Sequence, residues 1–211
     1  MNTKKLHISL EFLEPVLGMT PGDPAIYESF IGSKAPDAMN IEEEVAAYGV
    51  DDVVEKGMTV FPKLDDGTPF FWDYQIKGFF KDACGALSRC AGKDPETGKK
   101  LPANESAKIR AYKKIIDGVI FVDQRRIPIM SDKPMGLCQR PLRAQTMQGE
   151  RVALAMSEEI PAGAKMEFDV SLLSAEYVPA VKEWFEYGKL RGLGQWRNAS
   201  KGRFLATVSE V

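Results

Sequence analysis

The stretch Lys4–Leu13, KKLHISLEFL, decides the fold, because it alternates without a break: Leu6, Ile8, Leu10 and Phe12 fall on one side, His7, Ser9 and Glu11 on the other. A period of two residues is that of a strand with one face in a core and one in water. Downstream, after the turn DDGTP at 65–69, Asp73 is placed to cap a helix in which Ile76, Phe79, Phe80, Ala83, Cys84, Leu87 and Cys90 recur at helical spacing, ending near Gly92. A second helical segment covers Glu105–Ile116, stopped by Gly118. Val119, Phe121, the basic pair Arg125 and Arg126, and Ile127–Met130 read as strand, and Arg151–Met156 is expected to pair with Met166–Leu173 as a hairpin across EEIPAGAK. Pro179 suits the first turn of a helix reaching about Lys189, with Val181, Trp184, Phe185 and Tyr187 facing the core. Phe204, Ala206 and Val208 alternate in a last strand. Strand, helix, strands, hairpin, helix, strand is the split β-α-β order of an α+β, ferredoxin-like fold.

The 211 residues form one expected domain, with insertions at about 14–58 and 93–116. At 44% hydrophobic and 27% charged, the chain has apolar side chains enough for a core and is not globally disordered. Lys+Arg 28 against Asp+Glu 30 leaves a formal charge of −2, which argues against a generic polyanion binder, so the distribution of charge matters more than its total. Acidic residues crowd into 41–66, whereas Arg125, Arg126, Arg140, Arg143 and Arg151 share a middle stretch. Three cysteines, with no zinc-pair spacing between Cys84 and Cys90, fit a reducing cytoplasm, and neither a signal peptide nor an apolar run of membrane-spanning length is visible. No metal, cofactor or membrane partner is implied.

The segment Arg191–Arg203, RGLGQWRNASKGR, is the most specific. Gly192, Gly194 and Gly202 let a backbone approach a ligand closely, Arg197, Lys201 and Arg203 offer phosphate-pairing charge, and Trp196 offers a stacking face. The alternative is a flexible connection that Trp196 anchors to the core. The glycine spacing is not that of a Walker or dinucleotide motif. Upstream, QRPLRAQTMQGER, with Arg140, Arg143 and Arg151, has the turn chemistry of a protruding β-finger or of a solvated loop.

With YQIKGFFKDACGAL opening the first core helix, IPAGAKMEFDVSLL in the middle and RGLGQWRNASKGRF before the last strand, the chain resembles the RAMP superfamily of CRISPR-Cas proteins. It looks most like the type III-like backbone subunits that polymerise along a guide RNA. The matching positions are Lys77 and Gly78, then Pro161, Gly163 and Phe168, then Gly192, Gly194, Gly202 and Arg203. The resemblance implies an RRM-like core, guide-RNA phosphates near Lys77, Gly78 and Lys81 and at the glycine-rich loop, and a thumb whose arginines grip phosphates while Met147 wedges a base step. The family's helix opens with Pro-Gly-Ser-Ser where this chain has WDYQ, and an acidic Asp73 beside a phosphate is unfavourable unless it caps the helix. The aspartate of target-cleaving members falls near Gly57, where only Glu55 is close.

The expected function is therefore an RNA-binding subunit of an effector complex with no nuclease activity of its own. Its partners would be guide RNA, copies of itself, other effector subunits and, at the thumb, target nucleic acid. The acidic stretch Glu42–Asp52 would face solvent or a basic neighbour. Two other classes stay open: a phage-borne anti-CRISPR mimic that caps a host complex, and a guide-processing endoribonuclease with His7 as general base.

Overall fold

The structure is a computed structural model that describes residues 3–22, 58–90, 92, 96–97, 99, 104–146 and 149–211, and of 142–154 the backbone alone. In chain order the elements are β1 (Lys4–Phe12), β2 (Val16–Leu17), β3 (Thr20–Pro21), β4 (Thr59–Val60), β5 (Phe70–Trp72), α1 (Asp73–Leu87), α2 (Glu105–Lys108), α3 (Tyr112–Val119), β6 (Ile120–Val122), β7 (Arg126–Pro128), β8 (Gly136–Thr146), β9 (Gly149–Ile160), β10 (Lys165–Leu172), α4 (Val178–Arg191) and β11 (Phe204–Glu210).

The main sheet has the order β11-β1-β10-β6, every pair antiparallel. Counting only its own strands, that is 4-1-3-2, with α1 and α4 in the two crossovers, and the expected ferredoxin-like core is present. The alternation of β1 does what the sequence promised: Leu6, Ile8, Leu10 and Phe12 are at most 1% exposed. Against them pack Met166, Phe168, Val170 and Leu172 from β10, and a ring cluster in which Phe80 lies 5.4 Å from Trp184 and 5.5 Å from Phe185, and Phe79 5.4 Å from Phe204. Aromatic rings bury large areas and prefer these edge and tilted contacts.

Four expectations change. The N-cap of α1 is Trp72, not Asp73, which is the first helical residue; Trp72 N–H donates to Gln75 Oε1 at 2.9 Å. Glu105–Ile116 is not one helix, because Ala111 takes a left-handed φ of 50° between α2 and α3, and α3 runs through Gly118 to Val119. The strand expected across Arg125–Met130 is the shorter β7, paired with β5. Finally, Arg151–Met156 does not pair with Met166–Leu173. It belongs to β9, which pairs over eleven rungs with β8, from Gly136↔Glu159 to Thr146↔Gly149. The finger is therefore real and has taken the strand assigned to the hairpin. Its base joins β2 through Val16↔Ile160 and β4 through Thr59↔Ser157, while the rungs beyond Arg140↔Ala155 pair only with each other among the described strands. Most of the first insertion, residues 23–57, with the acidic stretch Glu42–Asp52 and the Glu55–Gly57 position, and Met147 lie outside the described residues.

Both insertions touch the core. Val16 and Leu17 are fully buried, as are Ser106 and Ile116. Glu183 of α4 caps α2: its carboxylate accepts from the N–H groups of Glu105 (3.1 Å) and Ser106 (2.9 Å) and from Ser106 Oγ, which in turn accepts from Trp184 Nε1 at 3.0 Å. Removing the acceptor leaves orphaned donors, so Glu183→Ala should lower unfolding free energy by about 1–3 kcal/mol. Glu183→Gln should recover part of it, as read by denaturant titration.

Candidate nucleic-acid interface

The opening of α1 is arranged around a carboxylate. Asp73 N–H donates to the Arg125 carbonyl at 3.0 Å, and its side chain sits 3.4 Å from Arg125 Nη1. Burial pushes the Asp73 carboxyl above the usual range, and the Arg125 charge pulls it back. The guanidinium of Arg125 also lies 5.2 Å from the ring of Trp72. One turn on, Lys77 Nζ stands 4.8 Å over the ring of Phe121 and donates to the Asp117 carbonyl at 3.4 Å. Burial lowers the Lys77 pKa, opposed by Asp117 and Asp73. Lys81 pairs with Asp117 at 2.6 Å. Gly78 is exposed in mid-helix, and a Cβ there would meet nothing within 4 Å. A helical glycine costs roughly 1 kcal/mol against alanine, and no contact among the described residues calls for this one.

The glycine-rich loop differs from its expected role. Gly192, Gly194 and Gly202 all have positive φ, but what approaches them is the chain itself: a Cβ would stand 2.6 Å from the Gly202 carbonyl at Gly192, 2.6 Å from the Leu17 carbonyl at Gly194 and 1.8 Å from the Leu193 carbonyl at Gly202. Leu193 N–H donates to Gly202 O, Gly202 N–H to Pro15 O and Gln195 N–H to Leu17 O. The core anchor is Leu193, 5% exposed, whereas Trp196 is 41% exposed. The loop's cations have partners. Arg197 and Arg191 share Asp82 Oδ2, at 2.7 and 2.9 Å, Lys201 pairs with Glu159 at 2.8 Å, and Arg203 Nε donates to the Lys189 carbonyl.

Arg140, at the finger's base, is the residue the structure joins to this loop. Its guanidinium carbon lies 4.7 Å from the centre of the Trp196 ring, and Nη2 donates to Gln195 Oε1 at 3.0 Å. Arg143 and Arg151 stand opposite Val152 and Ala144 in the outer rungs, and their side chains lie outside what is described. Lys77, Gly78 and Lys81 thus form one group on α1, and Arg140 with Gln195 and Trp196 a second. Sequence reading missed Gln195 and Asp82; the only signal for Gln195 was its place between Gly194 and Trp196.

On the open face of the main sheet, His7 Nδ1 lies 2.9 Å from Asp169 Oδ1. Lys5 Nζ is 3.2 Å from Asp169 and 3.0 Å from Asp123, and Gln124 Nε2 donates to Asp169 at 3.2 Å. The bond to His7, then those from Lys5 and Gln124, hold the Asp169 carboxyl below the usual carboxylate range. Among the described residues no three metal-ligating side chains cluster, and no helix is long and apolar enough to cross a membrane.

No family model and no curated protein matches the sequence. Solved structures do match in fold. A chain of the type III-B Cmr-beta complex bound to cognate target RNA superposes with a TM-score of 0.51 at 9% identity, over 100% of this chain and 61% of that one. A chain of a type IV-B CRISPR complex gives 0.48 at 12% identity, over 97% and 90%. This protein therefore spans about three-fifths of the Cmr-beta chain, and the fold expected from the RAMP resemblance is the fold observed.

Gly202→Ala, which drives a Cβ into a carbonyl, should cost about 3 kcal/mol or more. Gly67→Ala, at a φ of 83° in open space, should cost only about 1–2 kcal/mol. Thermal unfolding separates them, at about 2–4 °C per kcal/mol for a chain of this size. Because the folded Asp169 pKa is lowered, its contribution is intact above the ordinary carboxylate range and is lost as pH falls through the lowered value. His7→Ala should move the Asp169 titration upward, read by carboxyl carbon NMR.

Proposed function

We propose that this protein is an RNA-binding backbone subunit of an RNA-guided CRISPR-Cas-type effector complex. In this reading it holds guide RNA by its sugar-phosphate backbone and associates with copies of itself and other effector subunits. The finger meets target nucleic acid, and the chain cuts nothing itself. The observation that carries the reading is the finger, an eleven-rung ribbon rooted in a second sheet of a chain whose main sheet is 4-1-3-2, a fold shared with a chain of the type III-B Cmr-beta structure bound to cognate target RNA. Exposed Gly78 beside Lys77 and Lys81 supports it, since a cationic helix face without a Cβ lets a phosphate come close.

A second reading is favoured by the His7–Asp169 pair. A carboxylate on Nδ1 fixes the imidazole and leaves Nε2 to act as a base toward an RNA 2′-hydroxyl, as an endoribonuclease requires. Its test is incubation of guide-precursor RNA with the protein and with His7→Ala; cleavage by both, or by neither, removes it.

The main test is purification at low salt, with and without the genomic neighbours, reading the 260/280 nm absorbance ratio across size exclusion and sequencing what is recovered. Uniform-length RNA in a large particle is expected. A monomer free of nucleic acid in both cases would sink the reading and point to a protein-directed inhibitor. Lys77→Gln should weaken RNA of every sequence alike and reduce the slope of log affinity against log salt by about one.

A further inference from the structure

Arg140 is a cation whose bonding the described residues leave incomplete. It leaves the rung opposite Ala155, and Nη2 finds Gln195 Oε1, but Nε and Nη1 are buried and meet no acceptor among the described residues. Guanidinium is all donor and never loses its charge, so two buried N–H groups without acceptors are an unfavourable state that an arriving anionic oxygen would relieve. The polar groups around it do not fill that place. Gln195 Oε1 is also taken by Thr59 Oγ1 at 3.4 Å, and Thr59 Oγ1 lies 2.8 Å from Ser157 Oγ. Against the guanidinium lies Trp196, 41% exposed and held at a φ of 54° where a short 3-10 turn begins.

An open indole face and an unsatisfied donor fork thus share one spot, contributed by the finger and the glycine-rich loop. A planar ring and an anion within one monomer describe a nucleotide; an aspartate or glutamate residue supplies the anion but not the ring. We propose that Trp196 and Arg140 form a seat for a single unpaired nucleotide of RNA. The base stacks on the indole face turned away from the guanidinium, and the adjoining phosphate accepts from Arg140 Nε and Nη1 once the indole shifts to admit it. This deepens the RNA-binding reading and rests on it.

The chain has three tryptophans, and Trp72 and Trp184 are fully buried, so acrylamide quenching reads Trp196. The probes are hexauridylate, an abasic hexamer with the same phosphates, and an aspartate-rich peptide, each added to the full chain. Hexauridylate should shield Trp196 and bind about tenfold tighter than the abasic strand, the scale of one stacked base. Trp196→Ala should abolish that difference, Trp196→Phe should restore most of it, and Arg140→Lys should weaken both strands. Equal binding of the two strands, unchanged quenching with RNA bound, or tighter binding of the peptide would each overturn the seat. If RNA binds and Trp196→Ala changes nothing, the seat fails and the RNA reading survives; if no RNA binds, both fail. Should Trp196→Ala not fold, the wild-type quenching and the two conservative variants decide.

Discussion

Between Arg191 and Arg203 the backbone must fold back within contact distance of itself and of β2, and nearly everything functional hangs on that approach. Gly202 against Leu193 closes the loop, and its N–H to Pro15 ties the loop to the turn after β1. Gly194 lets the chain lie on the Leu17 carbonyl, so the loop presses on β2, and β2 is the strand that holds the root of β9. A side chain at either glycine would collide with backbone, which cannot rotate out of the way. The finger's attachment is thus a steric consequence of residues in a separate loop of the chain.

The same approach reassigns charge. Arg197, Lys201 and Arg203 look free in a string of letters, but a loop pressed onto α1 and β9 meets Asp82 and Glu159 there. Paired cations position the loop and are poor candidates for gripping a polyanion, since each new phosphate contact must displace an existing partner. What remains is smaller and more local: Lys77 over Phe121 beside an unfilled glycine, with Lys81 already paired to Asp117, and one guanidinium against an indole.

The legible part of the fold was the part written in short periods. The period-2 run of β1 and the helical spacing of α1 and α4 each lie in one segment, and each was found with its buried face, except that α1 stops at Leu87 short of Gly92 and leaves Cys90 exposed. Pairing partners are not local. Arg151–Met156 reads as a strand, and a short loop to Met166–Leu173 made a hairpin the natural guess, but the chain turns a corner at Pro161–Ala164 and puts β9 and β10 in different sheets. Ala111 was unreadable because a left-handed alanine is imposed by the packing around it and not by its own preference. In the candidate site, Trp196 and Arg140 could each be singled out as aromatic and cationic residues in polar stretches. Their meeting across 55 intervening positions depends on the finger's register, which only long-range pairing sets.

The place of β1 at the centre of its sheet carries a cost in time. β1 is near the start of the chain, while its two neighbours, β10 and β11, begin at Lys165 and Phe204. At synthesis rates of about 5–20 residues per second, a finished β1 waits about 8–30 s before the ribosome has made its first partner. Throughout that interval Leu6, Ile8, Leu10 and Phe12 present an apolar stripe with two unpaired edges. Pairings this distant also give a high contact order, which slows refolding of the complete chain. The central strand is made long before either neighbour and is among the last to be housed.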